Sequence, residues 1–171
     1  MRFEHKSVII TGGGGKITKA YAMAFANEGA TVSLPDVASA DPVVKAIKDM
    51  GRTAISMTCD VSNEKSVKAM VDETVKQFGT VDVLINNAAY FMTVWKGPFW
   101  EMTVEEFDKA MAVNVRGSWL CAKGRRPVHA KAEEGKNYQH FVERRPDRES
   151  ELHSLRHFQR GVDRDDSRHG P

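Results

Sequence analysis

Four consecutive glycines, Gly12 to Gly15, stand between a β-branched apolar run and an amphipathic stretch, and no other feature of the 171 residues restricts the fold as much. Ser7-Val8-Ile9-Ile10 is short and almost wholly apolar, the pattern of a strand buried on both faces within a parallel sheet. Beyond the glycines, Ile17, Ala20, Tyr21, Ala24 and Phe25 recur at helical spacing, and Gly29 supplies the stop. A strand that enters a helix through glycines brings bare backbone N–H groups to a helix N-terminus, where an anion is favoured. A P-loop is the rival phosphate cradle. Here Lys16 is followed by Ile17 in place of the Ser or Thr that would hold magnesium, and the upstream glycine spacing differs.

The alternation continues along the chain. Thr31 to Leu34 predicts a second strand, Pro42 to Met50 a helix closed by Gly51, and Ala54 to Met57 a third strand. Ser62 is expected to cap a helix running to about Phe78 and stopped by Gly79, and Val81 to Ile85 to form a fourth strand. Residues 90 to 100 read as an aromatic-rich loop carrying Phe91, Trp95, Phe99 and Trp100. Thr103 with Glu106 makes a capping box, and a further helix is expected from about Asn114 through Ala122. Strands that alternate with helices of roughly 10 to 15 residues indicate βαβ crossovers and an α/β fold with a parallel sheet.

Asp36 follows the second strand, about 20 residues beyond the glycine turn. A carboxylate in that place accepts hydrogen bonds from both hydroxyls of a ribose and repels a 2′-phosphate, which favours NAD over NADP.

Composition narrows the alternatives. A chain that is 41% hydrophobic and 28% charged suits one globular domain able to bury a core. A formal net charge of +2 is too small to make nucleic acid or an anionic membrane the main partner. Cys59 and Cys121 have no paired spacing for a metal site or a disulfide framework, so no metal is expected and a reducing cytoplasm fits. The first residues, Met1 to Lys6, lack an apolar signal stretch, and no run approaches the roughly 18 apolar residues that span a membrane.

From the N-terminus to about residue 136 the chain resembles the short-chain dehydrogenase/reductase family, through motifs in order at family-like spacing. Thr11-Gly12 with Ile17 is similar to the family's Thr-Gly-x-x-x-Gly-x-Gly turn. Cys59-Asp60-Val61 resembles the Asp-Val pair that contacts adenine. Asn86-Asn87-Ala88-Ala89 resembles the Asn-Asn-Ala-Gly segment after the fourth strand, and Val113-Asn114-Val115-Arg116-Gly117 the helix that carries the active-site asparagine. Each has a plainer role as helix-entry residue, turn former or cap.

The resemblance implies a Rossmann-type doubly wound sheet over residues 1 to 136, ending after the fourth strand and its following helices. It implies a seat for NAD built from Gly12, Gly14, Gly15, Ile17, Asp36, Asp60, Val61, Asn87, Ala88 and Ala89, and Asn114 as the catalytic asparagine. The family transfers hydride between an alcohol or ketone substrate and nicotinamide, and its members assemble as homo-oligomers.

Two departures fall in the first motif. Lys16 and Thr18 replace the second and third glycines, so side chains are expected where close approach to pyrophosphate and tight helix packing are needed, and weakened dinucleotide binding is expected, offset in part by the Lys16 ammonium. A larger departure lies downstream. The family's chemistry uses a tyrosine to exchange the hydroxyl proton, a lysine four residues later to lower its pKa, and a serine to orient substrate. After Asn114 the single tyrosine is Tyr138, position 142 is Val, and no lysine follows Lys136.

Residues 137 to 171 differ in character from the rest. They hold seven of the twelve arginines and four of the six histidines. No strand or helix periodicity is evident in them. An Arg-rich tail with interspersed Asp and Glu is the plain reading.

A shifted reading frame is the sharper one. Taking the second and third bases of each codon with the first of the next, permitted synonymous codons turn His140 through Glu143 into Ile-Ser-Ser. Ser154 through Gly161 become His-Tyr-Val-Thr-Ser-Lys-Gly. The serine, tyrosine and lysine then recur at the family's spacing, which places the shift within codons 128 to 137 and predicts that this chain lacks the family's chemistry. A fourth strand with no fifth beside it would present a bare edge, prone to aggregation.

Overall fold

A computed structural model of the chain describes residues 1–90, 98–129 and 136–138. Phe91, Trp95 and residues 139–171 lie outside that description.

The first βαβ unit forms as the glycine run requires. Strand β1 (Ser7–Ile10) is buried at every residue, helix α1 is Lys16–Asn27, and β2 is Thr31–Asp36. Helix α2 (Asp41–Asp49), β3 (Ala54–Thr58), α3 (Glu64–Phe78) and β4 (Val83–Ile85) follow. All pairings are parallel and the order is β3-β2-β1-β4, with Val8 beside Val32 on one side and Val83 on the other. This is the Rossmann-type sheet that the sequence predicts. The crevice at its carboxyl edge, where the order reverses between β1 and β4, is the ligand-binding place of such sheets.

Beyond those four strands a fifth, β5 (Lys136–Tyr138), pairs in parallel with β4, Leu84 opposite Asn137. The bare β4 edge expected from the sequence is therefore covered at Val83–Ile85. Three residues are too few to show periodicity, and pairing with a buried neighbour makes the strand. It straddles the boundary drawn at residue 136.

Two local readings shift. Helix α1 buries Thr18, Tyr21, Ala22, Phe25 and Ala26, while Ala20 and Ala24 are exposed, so its inner face is turned one residue from the expected stripe. The rotation puts Thr18, a polar side chain with partners for its hydroxyl, inside. Helix α3 is capped by Asn63, whose Oδ1 accepts from the N–H groups of Lys65 and Ser66 at 3.0 and 3.2 Å. Ser62 does not cap, because its hydroxyl donates to Asp60 Oδ1 at 2.7 Å.

The helix expected near Asn114 is part of a longer run. Helix α4 (Val104–Met111), capped by Thr103, continues through a π-helical segment (Ala112–Gly117) into α5 (Ser118–His129). Leu120 and Cys121 join Ile9, Val61, Val67, Met70, Val71, Val81 and Leu84 in a buried apolar cluster between α3, α5 and the sheet. Gly117 makes that approach possible, since a Cβ there would lie 2.8 Å from Val61 Cγ2. Arg125 is buried beneath the sheet's opposite end and donates to the Asp82 carbonyl at 3.2 Å. Burial pulls its pKa down to about 10, opposed by the nearby Asp82 carboxylate.

Candidate functional site

The turn between β1 and α1 keeps its shape by internal hydrogen bonds. Gly12 and Gly13 N–H both donate to the Pro35 carbonyl at 3.0 Å, and Gly15 N–H to the Gly12 carbonyl at 3.2 Å. Gly12 takes φ +74°, a conformation that costs an L side chain about 1–2 kcal/mol. Gly13 is required for a different reason, since a Cβ there would sit 2.7 Å from the Leu34 carbonyl oxygen and 2.9 Å from Ala40 Cβ. Gly13 thus joins Gly12, Gly14 and Gly15, the three glycines that the family resemblance implies. The unbroken run of four glycines was the available signal.

Gly14 N–H donates to Asp36 Oδ2 at 2.8 Å, while Asp36 Oδ1 accepts from Ala38 N–H at 2.9 Å. The half-buried carboxylate at the end of β2 is thus clasped against the exposed middle of the turn. Gly15 caps α1 without a side-chain hydrogen bond, and the first helical turn holds no acidic residue. Its partial positive charge is left for an external anion. Lys16 is exposed at the first helical position. An open, uncapped helix end beside a glycine that admits no Cβ fits a diphosphate. The carboxylate one residue away fits a diol.

The second wall comes from the segment after β4. Thr11 Oγ1 accepts from the N–H groups of Asn87 and Ala88, each at 3.0 Å, and donates to the Ile85 carbonyl at 3.4 Å. Asn87 Nδ2 donates to the Thr11 carbonyl at 3.0 Å and to Thr18 Oγ1 at 2.8 Å, and Thr18 Oγ1 donates to the Gly12 carbonyl at 2.5 Å. The Thr18 side chain therefore points under the turn, into the packing between helix and sheet where the family has its third glycine. Asn86 is buried and donates to the Ser118 carbonyl at 3.5 Å; its Oδ1 has no hydrogen-bond partner among the described residues. Ala89 is exposed beside them.

Asn114 lies in the π-helical segment, a local irregularity often found at functional sites. Its Oδ1 accepts from Tyr90 N–H at 2.7 Å and its Nδ2 donates to the Tyr90 carbonyl at 3.1 Å, so one side chain clamps the loop leaving β4. The Tyr90 hydroxyl donates to Glu106 at 3.0 Å, with the Lys109 ammonium 4.5 Å from the ring centre. Asp60, after β3, accepts from Ser62 N–H and hydroxyl, and Val61 is buried against Gly117. Trp100 is exposed, whereas the other aromatics of that loop carry no described side chain.

The two cysteines take no part in this surface. Both are buried and free; burial raises the Cys59 thiol and pushes Cys121 up to about 12. Neither is a thiolate at neutral pH. Among the described residues no group of His, Cys, Asp or Glu is placed to hold a metal, and no helix is long and apolar enough to cross a membrane.

With this geometry in view, the likenesses to known proteins are informative. Residues 15–137 match the family model described as enoyl-(acyl carrier protein) reductase. The chain is 41% identical over 124 residues to the uncharacterized oxidoreductase YxbG of Bacillus subtilis, covering 71% of this chain and 45% of that protein. It is 37% identical over 121 residues to glucose 1-dehydrogenase 2 of the same organism, covering 69% and 46%. Among solved structures, NAD+-bound xylitol dehydrogenase superposes with a TM-score of 0.74 at 28% identity, over 81% of this chain and 54% of that one. The chain spans about half the length of the curated relatives it matches.

Proposed function

The chain belongs to the short-chain dehydrogenase/reductase family of oxidoreductases, and from that premise we propose that it is the part that seats NAD, in preference to NADP, for hydride transfer on an alcohol or ketone. The observation that carries this reading is the 2.8 Å contact between Asp36 and Gly14, which sets a carboxylate beside an uncapped helix end. The helix end and the glycine turn would take the diphosphate, and Lys16 adds a cation near it. Asp36 would accept from the adenosine ribose hydroxyls, where a 2′-phosphate would meet a like charge. Asp60 and Val61 would border the adenine, and Asn87, Ala88 and Ala89 the middle of the cofactor. When bound, the nicotinamide supplies the hydride-accepting carbon; Asn114 holds the adjoining loop through the N–H and the carbonyl of Tyr90.

Within these 171 residues no Tyr-x-x-x-Lys pair follows Asn114, so this chain by itself is proposed to bind the cofactor without turning over substrate. Residues 137–171 are proposed to be read from a shifted frame that still encodes the serine, tyrosine and lysine. Sequencing codons 128 to 137 checks this, and a gene with no slip there and no motif in the neighbouring frame contradicts it. For the seat itself, NADH fluorescence is titrated with the chain and with Asp36→Ala. Binding that weakens in the variant is expected, with no NADH produced from a panel of alcohols. A variant that binds as well as the parent refutes the role of Asp36.

A further inference from the structure

Thr18 stands where the family's turn carries glycine, and its side chain is fully buried beneath the cofactor seat. We propose that Thr18 is a positioning residue that couples the glycine turn to the segment after β4, so that the two walls of the seat hold one geometry; this rests on the reading of that seat given above. A glycine packs a helix closely but carries no group that can bond across the gap. The threonine hydroxyl does both halves of a bridge. It donates to the Gly12 carbonyl at 2.5 Å and accepts from Asn87 Nδ2 at 2.8 Å.

The bridge closes a ring. Asn87 Nδ2 also donates to the Thr11 carbonyl at 3.0 Å, and Thr11 Oγ1 takes the N–H groups of Asn87 and Ala88 at 3.0 Å each. Thr11, Gly12, Thr18 and Asn87 therefore satisfy one another with little help from solvent. Gly12 has no freedom within it, because a Cβ there would lie 3.0 Å from Ala88 Cα and 3.1 Å from Asn87 Nδ2. With the Gly12 carbonyl held inward, Gly15 N–H is spent on that same carbonyl at 3.2 Å. The donors left facing outward are those of the first turn of α1, as a diphosphate needs. Pulling on Asn87 thus pulls on the turn, and the reverse.

The test uses the intact chain and three variants. Thr18→Val keeps the shape and removes both bonds, Thr18→Ser keeps both bonds, and Asn87→Ala removes the opposite partner. Hydrogen exchange is followed by mass spectrometry over residues 11–18 and 86–90, beside an NADH titration. Thr18→Val is expected to raise exchange in both segments together and to weaken NADH about tenfold, the scale of one buried donor left unpaired. Thr18→Ser restores both readouts, which a purely space-filling role would not require. Exchange that rises in the turn alone, or unchanged NADH affinity in Thr18→Val, overturns the proposal. If the parent chain binds no NADH, the cofactor reading fails, and the exchange measurements by themselves decide the coupling. If Thr18→Val does not fold, Asn87→Ala takes its place, and an unchanged turn in that variant overturns it.

Discussion

Replacing Gly13 by alanine asks whether the turn's close approach matters for the cofactor seat or only for stability. The added Cβ would lie 2.7 Å from the Leu34 carbonyl oxygen and 2.8 Å from its carbon, backbone atoms of a central strand that cannot step aside. The turn must move outward. That stretches the Gly13 bond to Pro35 and shifts Gly14 away from the Asp36 carboxylate. Overpacking of this kind costs about 1–3 kcal/mol, or roughly 2–4 °C of melting temperature per kcal/mol in a chain of this size. The control is Gly51→Ala. Gly51 has φ +72° with nothing within 4 Å, so alanine there pays backbone strain of about 1–2 kcal/mol and displaces no neighbour.

The two variants should therefore melt at similar temperatures and differ in affinity. Gly13→Ala is expected to bind NADH at least about tenfold more weakly than the parent, for the loss of one charge-assisted hydrogen bond's worth of geometry. Gly51→Ala should match the parent. Differential scanning fluorimetry and NADH fluorescence measure the pair. Equal NADH affinity in the two variants would refute the claim that this turn, held in this position, makes the seat.

Two further outcomes test the packing behind the site. Gly117→Ala should destabilise, because its Cβ meets Val61 Cγ2 at 2.8 Å, whereas Gly124→Ala, whose nearest contact is Val67 Cγ1 at 3.2 Å, should be near neutral once its gain in helix propensity of about 1 kcal/mol is counted; urea midpoints decide between them. Cys121 carries a pH signature. Its folded pKa, about 12, lies above the ordinary thiol value of 9.0, so the unfolded chain loses this proton first. Its contribution, on the order of 4 kcal/mol, is present below pH 9 and is lost as the pH rises toward the folded value. Cys121→Val should flatten the alkaline fall of the urea midpoint, and a parallel fall in parent and variant would contradict the assignment.

Sequence pattern was most informative where the chain repeats a simple rule. The strand-glycine-helix unit, the alternation through β4 and the place of Asp36 are all legible because burial on a parallel sheet and helical spacing leave periodic traces. The inward turn of Thr18 leaves none, since spacing alone reads Ile17, Ala20 and Ala24 as the inner face, and a hydroxyl's partners belong to other segments. Asn63 displaced Ser62 as the α3 cap through a competition that residue types do not rank, the serine being held by Asp60. Strand β5 exists by pairing with β4 and has no pattern of its own. The π-helical segment around Asn114 likewise leaves no trace in residue spacing, and the Tyr90 partner of Asn114 lies 24 residues earlier in the chain.

Calorimetric titration of the intact chain with NAD and, separately, with NADP weighs the central claim in one measurement. A saturable heat with NAD, and a clearly weaker one with NADP, is what a carboxylate clasped to the glycine turn demands. No heat with either nucleotide, or tighter binding of the 2′-phosphorylated one, would contradict it.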